Sequence, residues 1–158
     1  MGNRMTKTVR ILSWLFVILW MVIIINLSSQ IADQSNQLSR GMADRLIKAI
    51  KSIYPDAVID ITSFNSILRD LAHFFVYMIM AVLLLNALRR SSIKGSGIMP
   101  VMVICIIFAV LDETMQLSVE GRGAQFVDVI IDSLGAGFGI ILYLFIARVK
   151  GFRKREGN

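Results

Sequence analysis

Residues 126–147 read FVDVIIDSLGAGFGIILYLFIA, a run as long and apolar as a membrane-spanning helix. Its polar groups are not scattered. Asp128 and Asp132 are four residues apart and so lie one above the other on a helix. Gly135 and Gly139 fall within about 40° of the same face. A GxxxG step lets two helix backbones approach closely in lipid. The acidic face should therefore also be the packing face, with its carboxylates turned into the protein.

Three further segments have the roughly 20 residues a span requires: about 9–27, 71–88 and 98–117. The third is the least uniform, because its clean apolar run stops at Leu111. The chain of 158 residues is 56% hydrophobic, with a mean hydropathy of +0.68, and that apolar content is concentrated in these runs. The expected fold is all-α: an integral membrane four-helix bundle forming one domain over residues 1–158, with no room for a second. The basic start and apolar stretch before Ser28 and Ser29 share features with a signal peptide. The stretch is longer than a signal core and carries Trp14 and Trp20, so it reads as a retained helix. Cys105 lies alone in mid-span, which excludes a disulfide framework and leaves it a packing role.

The net charge of +6 could suggest nucleic acid, but its distribution argues otherwise. Arg4, Lys7 and Arg10 precede the first span, Arg89, Arg90 and Lys94 separate the second from the third, and Arg148 to Arg155 follow the fourth. The two alternate connections are balanced or acidic. Positive charge in every other connection places both termini and the middle loop in the cytoplasm. An even number of spans requires the same sidedness of the two ends.

About forty residues join the first two spans. Leu38, Met42, Leu46, Ile50 and Ile53 recur there at helical spacing, which predicts an extracytoplasmic amphipathic helix over about 38–53. Tyr54-Pro55 should end it, since proline disfavours helix in the residue before it. Residues 57–61 could be briefly extended, and Asn65 or Ser66 is a plausible N-cap for the second span.

Helix rise gives the depth of the polar residues. At about 1.5 Å per residue, His73, Asp112 and Asp132 lie about 21–24 Å from the cytoplasmic ends of their helices. In a hydrocarbon core of about 30 Å, that is about 6–9 Å beneath the outer boundary. Arg69, Gln116 and Asp128 form a second layer one turn further out. Arg69, His73 and Tyr77 share one helix face, as do Asp112 and Gln116. Taken singly, Arg69 and Asp128 are interfacial anchors, Tyr77 a buried aromatic and His73 a hydrogen-bonded interior residue. Ionisable groups at matching depth on three spans point instead to a functional cluster.

These residues resemble the VanZ-like family of small bacterial membrane proteins. The resemblance runs from about Asn26 to the end of the fourth span. It rests on Ser28-Ser29-Gln30, Arg69-x-x-x-His73-x-x-x-Tyr77, Asp112-Glu113-x-x-Gln116, Arg122, Asp128, Asp132, Gly135 and Gly139. Two positions depart from the family pattern: Asp70, where a basic residue is common, and Asp132, where Asn is frequent. Both make the site more acidic. The family takes its name from a member linked to low-level teicoplanin resistance, and the resemblance brings no reaction with it.

His73, Asp112, Glu113 and Asp132 are the candidates for acid–base chemistry, since a crowded, poorly hydrated group of this kind can exchange a proton near neutrality. Arg69 and Arg122 suit bidentate recognition of a phosphate or carboxylate, with Tyr77, Gln116 and Asp128 completing a binding site. The partners implied are membrane lipids, with an anionic lipid-linked precursor or a glycopeptide as ligand, and no nucleic acid. One reading is an enzyme acting on envelope lipids. A second is a binding or envelope-homeostasis protein without turnover. A third, proton- or cation-coupled transport, fits less well because four spans leave little room for alternating access. No recognised ligand spacing assigns a metal or other cofactor; with carboxylates dominant, a hard divalent ion would suit the group better than structural zinc.

Overall fold

A computed structural model describes residues 2–29, 32–91, 97–119, 123 and 125–156. Among them are five helices and no strand: α1 (Gly2–Ser28), α2 (Ala32–Ile53), α3 (Ile61–Arg90), α4 (Ile98–Gln116) and α5 (Phe126–Glu156). Four are long and apolar enough to cross a membrane, over Lys7–Ser28, Ile61–Arg90, Ile98–Gln116 and Phe126–Val149. The protein is all-α, and α2 is the helix between the first two spans.

The surface is unlike that of a water-soluble domain. Leu15, Phe16, Leu134, Phe138 and Ile141 are exposed, whereas Asp112, Glu113, Gln116, Asp128 and Asp132 are buried. Apolar side chains facing outward, with carboxylates held inside beside an apolar core, are the arrangement that lipid imposes, because hydrocarbon cannot hydrogen-bond a carboxylate.

Helix α3 lies at the centre of the bundle and makes its most extensive contact with α5. The two run parallel. Gly135 rests on the carbonyl of Phe74 and Gly139 on that of Met78, so close that an added Cβ would overlap those backbone atoms. Without a hydrophobic driving force between helices in lipid, such contact between small residues and backbone holds spans together. From α1, the Trp20 indole donates to the Val76 carbonyl at 3.0 Å. The Trp14 indole donates to Ser91 Oγ at 2.9 Å, and that hydroxyl donates back to the Ala87 carbonyl. Arg89 lies 5.2 Å over the Tyr143 ring. The early part of α1, the end of α3 and the later part of α5 therefore meet at one end of the bundle, which gathers Arg10, Arg89, Arg90 and Arg148.

Helix α3 begins well before Leu71, where the apolar run starts. Its N-cap is Asp60, not Asn65 or Ser66. The Asp60 carboxylate accepts the Ser63 amide at 2.9 Å, the Thr62 amide at 3.3 Å and the Ser63 hydroxyl at 2.7 Å. These satisfy N–H groups that a helix start leaves open. The hydroxyl and amide of Ser63 hold the Asp60 carboxyl below its ordinary value. Asn65 and Ser66 fall one turn inside the helix as a result.

Helix α2 also starts earlier than its pattern implied, at Ala32, and ends at Ile53 before Tyr54-Pro55. Its apolar row is not the face that packs on the bundle. Ala43 is fully buried and Ile47 and Ile50 half-buried, while Met42, Leu46 and Ile53 are exposed. The side chain of Leu38 lies outside the described residues. The small Ala43 lets α2 approach α3 more closely than the larger Met42 or Leu46 would, which turns the bulky apolar row outward. Residues 57–60 are neither helix nor strand. Helix α4 starts after Gly97, whose φ of 70° is left-handed and favours glycine. Pro100 sits in its first turn, where a missing N–H is tolerated.

Candidate functional site

The contact between α3 and α5 aligns two polar rows. Arg69, His73 and Tyr77 stand at successive turns of α3, with Asp128 and Asp132 at successive turns of α5. His73 Nδ1 lies 3.2 Å from Asp132 Oδ1. One turn further out, Arg69 Nη2 lies 3.8 Å from Asp128 Oδ2, too long for a hydrogen bond but close enough for an ion pair. Arg69 is 37% exposed at its side chain, so it forms the rim, and the pair contributes no more than about 1 kcal/mol to stability.

Helix α4 closes the group from a third direction. One donor atom from each of His73, Asp112 and Asp132 lies within 4.8 Å of the others. Asp132 is completely buried and Asp112 nearly so. Two carboxylates that close repel by about 3–4 kcal/mol at an effective dielectric near 20. The group therefore requires positive charge, brought by a proton, a basic side chain or a bound cation. The second oxygen of Asp132 has no hydrogen-bond partner among the described residues, nor does the hydroxyl of the fully buried Tyr77. Tyr77 lies one turn inward from His73, within electrostatic reach of Asp112 and Asp132.

Glu113 has a different surrounding from its neighbour Asp112. Its Oε2 accepts the backbone N–H of Gln125 at 2.7 Å, so it fastens the segment leading into α5 to the end of α4. Gln125 was not apparent from sequence, because its contribution comes from the backbone, which carries no residue signature. Gln116 ends α4 buried, with its amide nitrogen unpartnered among the described residues. Ser28 is buried, and the Ser29 hydroxyl donates to the Asn26 carbonyl. Arg122 and Gln30 lie outside the described residues.

The structure thus brings His73, Asp112 and Asp132 together, with Arg69 and Asp128 one turn outward. It sets Glu113 toward Gln125. A buried group of this composition can hold a proton or a cation, and the half-exposed guanidinium above it can meet an anion.

Fold and site together define a multi-pass helical membrane protein with a polar cluster buried toward one end of its bundle. Residues 13–147 match the family model described as VanZ/LLP1, and the chain belongs to that family. Neither a curated protein nor a solved structure gives a significant match to the chain.

Proposed function

We propose that this VanZ-family protein binds the anionic headgroup of a cell-envelope lipid or lipid-linked precursor at the outer face of a bacterial cell membrane. Both termini lie in the cytoplasm, and α2 lies on the opposite, outer side. The observation that carries this reading is Arg69: a half-exposed guanidinium stands at the rim of a buried group containing His73, Asp112 and Asp132. A phosphate seated there gains a charge-assisted contact with the guanidinium while its acyl chains stay in lipid. The gathering of Arg10, Arg89, Arg90 and Arg148 at the far end supports the outward placement, since cytoplasmic ends carry the excess of basic residues.

His73 is the group suited to move a proton to or from such a headgroup. No nucleophile motif in the sequence points to a specific reaction, and we favour binding over turnover. If the ligand is a lipid-linked wall precursor, occupancy would alter glycopeptide access and so teicoplanin susceptibility.

Native mass spectrometry of the purified full chain with phosphatidylglycerol, cardiolipin, polyprenyl phosphate and neutral diacylglycerol tests the reading. Retention of one or more of the anionic lipids over the neutral one, weakened in Arg69→Gln, is expected. Equal retention of all four lipids by the wild type contradicts it. A change in the mass of any bound lipid would replace binding with catalysis.

A further inference from the structure

We infer that His73, Asp112 and Asp132 together form a binding site for a hard divalent cation, with each residue supplying one ligand atom. The three donors come from α3, α4 and α5 and lie within 4.8 Å of one another. Donors on opposite sides of a divalent ion, at bond lengths of about 2.0–2.6 Å, stand at most about 4.0–5.2 Å apart. The three atoms therefore lie close enough to share one ion after small adjustments of their side chains.

Proximity alone would not distinguish a cation site from a cluster of interior polar residues. The distinguishing feature is Asp132. It is completely buried, yet its Oδ2 has no hydrogen-bond partner among the described residues. A carboxylate oxygen so placed is ordinarily satisfied, because stranding it is costly. A cation bound through Oδ2 satisfies it. The buried Tyr77 hydroxyl, likewise unpartnered, lies one turn inward, where it can accept or donate to a water on the ion.

Two carboxylates and one imidazole, with no thiolate among the donors, select an oxygen-preferring ion of the Mg²⁺, Mn²⁺ or Ca²⁺ type. Cys105 is buried in the apolar core and is not one of the three donors. Three protein ligands leave coordination positions for water or for a ligand oxygen. The inference rests on these three residues and does not depend on the headgroup reading.

Electron paramagnetic resonance of Mn²⁺ with the EDTA-treated, purified full chain provides the test. Saturable binding of one Mn²⁺ per chain is expected, with a nitrogen hyperfine coupling from the imidazole in the wild type. Asp132→Asn and Asp112→Asn should each weaken binding by roughly tenfold or more, whereas the remote Asp60→Asn should not. Excess Mg²⁺ or Ca²⁺ should displace the Mn²⁺. No saturable signal in the wild type overturns the inference, as does undiminished affinity in both aspartate variants. Bound Mn²⁺ without nitrogen coupling removes His73 and places the ion elsewhere, which also overturns it. The wild-type signal and its coupling require no variant to fold. Absent Mn²⁺ binding with anionic-lipid retention intact would overturn this inference while leaving the proposed function standing.

Discussion

His73 on α3 and Asp132 on α5 stand 3.2 Å apart, Nδ1 to Oδ1, and Asp132 is sealed from the exterior. Removing one partner of a buried ionisable pair costs about 3–5 kcal/mol, because the other is left uncompensated. His73→Ala should lower stability by about that amount in reversible detergent unfolding. Adding Asp132→Ala should restore part of the loss. Losses that simply add, to within about 0.5 kcal/mol, would show that the two side chains are not coupled.

The glycines of α5 offer an internal comparison. A methyl group at Gly135 or Gly139 would overlap the Phe74 or Met78 carbonyl, whereas at Gly137 it would meet nothing within 4 Å. Gly135→Ala and Gly139→Ala should each destabilise the bundle by about 1–3 kcal/mol or more. Gly137→Ala should be neutral or stabilising, by up to about 1 kcal/mol, from helix propensity. Thermal stability of the three variants in one detergent decides the matter; equal behaviour would mean that α3 and α5 do not touch along this face.

Glu113 should act on the Gln125 amide. With the 2.7 Å hydrogen bond from Gln125 removed, Glu113→Ala should speed hydrogen exchange at Gln125 by roughly two- to tenfold, as expected for loss of one hydrogen bond. Glu113→Gln keeps an acceptor oxygen and should retain part of the protection. Unchanged exchange in Glu113→Ala would assign that amide another partner.

The cap of α3 has a defined pH dependence. Ser63 holds the Asp60 carboxyl below its ordinary value, so folding favours the ionised form. The resulting stabilisation is fully present above the unfolded carboxyl's pKa and disappears as pH falls through the lower folded one. Protection of the Ser63 amide should hold from neutrality down to the ordinary carboxylate range, fall as pH drops through it, and level off below the folded carboxyl's lower pKa. In Asp60→Asn it should not vary over that window, and a wild-type profile as flat as that one would be the contrary result.

Sidedness can be read with an impermeant maleimide on intact cells. Cys105 is buried, so the unsubstituted chain serves as the blank. Ser52→Cys at the end of α2 should label from outside, and Arg90→Cys at the end of α3 only after permeabilisation. The reverse pattern would invert the proposed topology.

Much of the bundle was legible locally. Hydropathy and helical spacing identify four spans, and helix rise puts His73, Asp112 and Asp132 at similar heights. Such features depend on residues a few positions apart, which one helix by itself can express. The start of α3 was less legible, because hydropathy marks where apolar side chains begin and not where backbone N–H groups find a cap. Asp60 lies in a polar stretch that gives no apolar signal. The same limit applies to α2, where periodicity defines an apolar row but not whether Ala43 or Met42 faces α3.

Sequence by itself therefore determined the all-α class, the number of spans and the set of polar residues placed together near one end. Only tertiary structure decided which of them meet. Asp112 and Glu113 are consecutive and chemically alike, yet one joins His73 and Asp132 while the other receives the Gln125 amide. That division follows from the rotation of α4 against its neighbours. The contact of Gly135 and Gly139 with the Phe74 and Met78 carbonyls likewise sets the register of α3 beside α5. Both are relations between rigid helices distant in the chain, which no local pattern encodes.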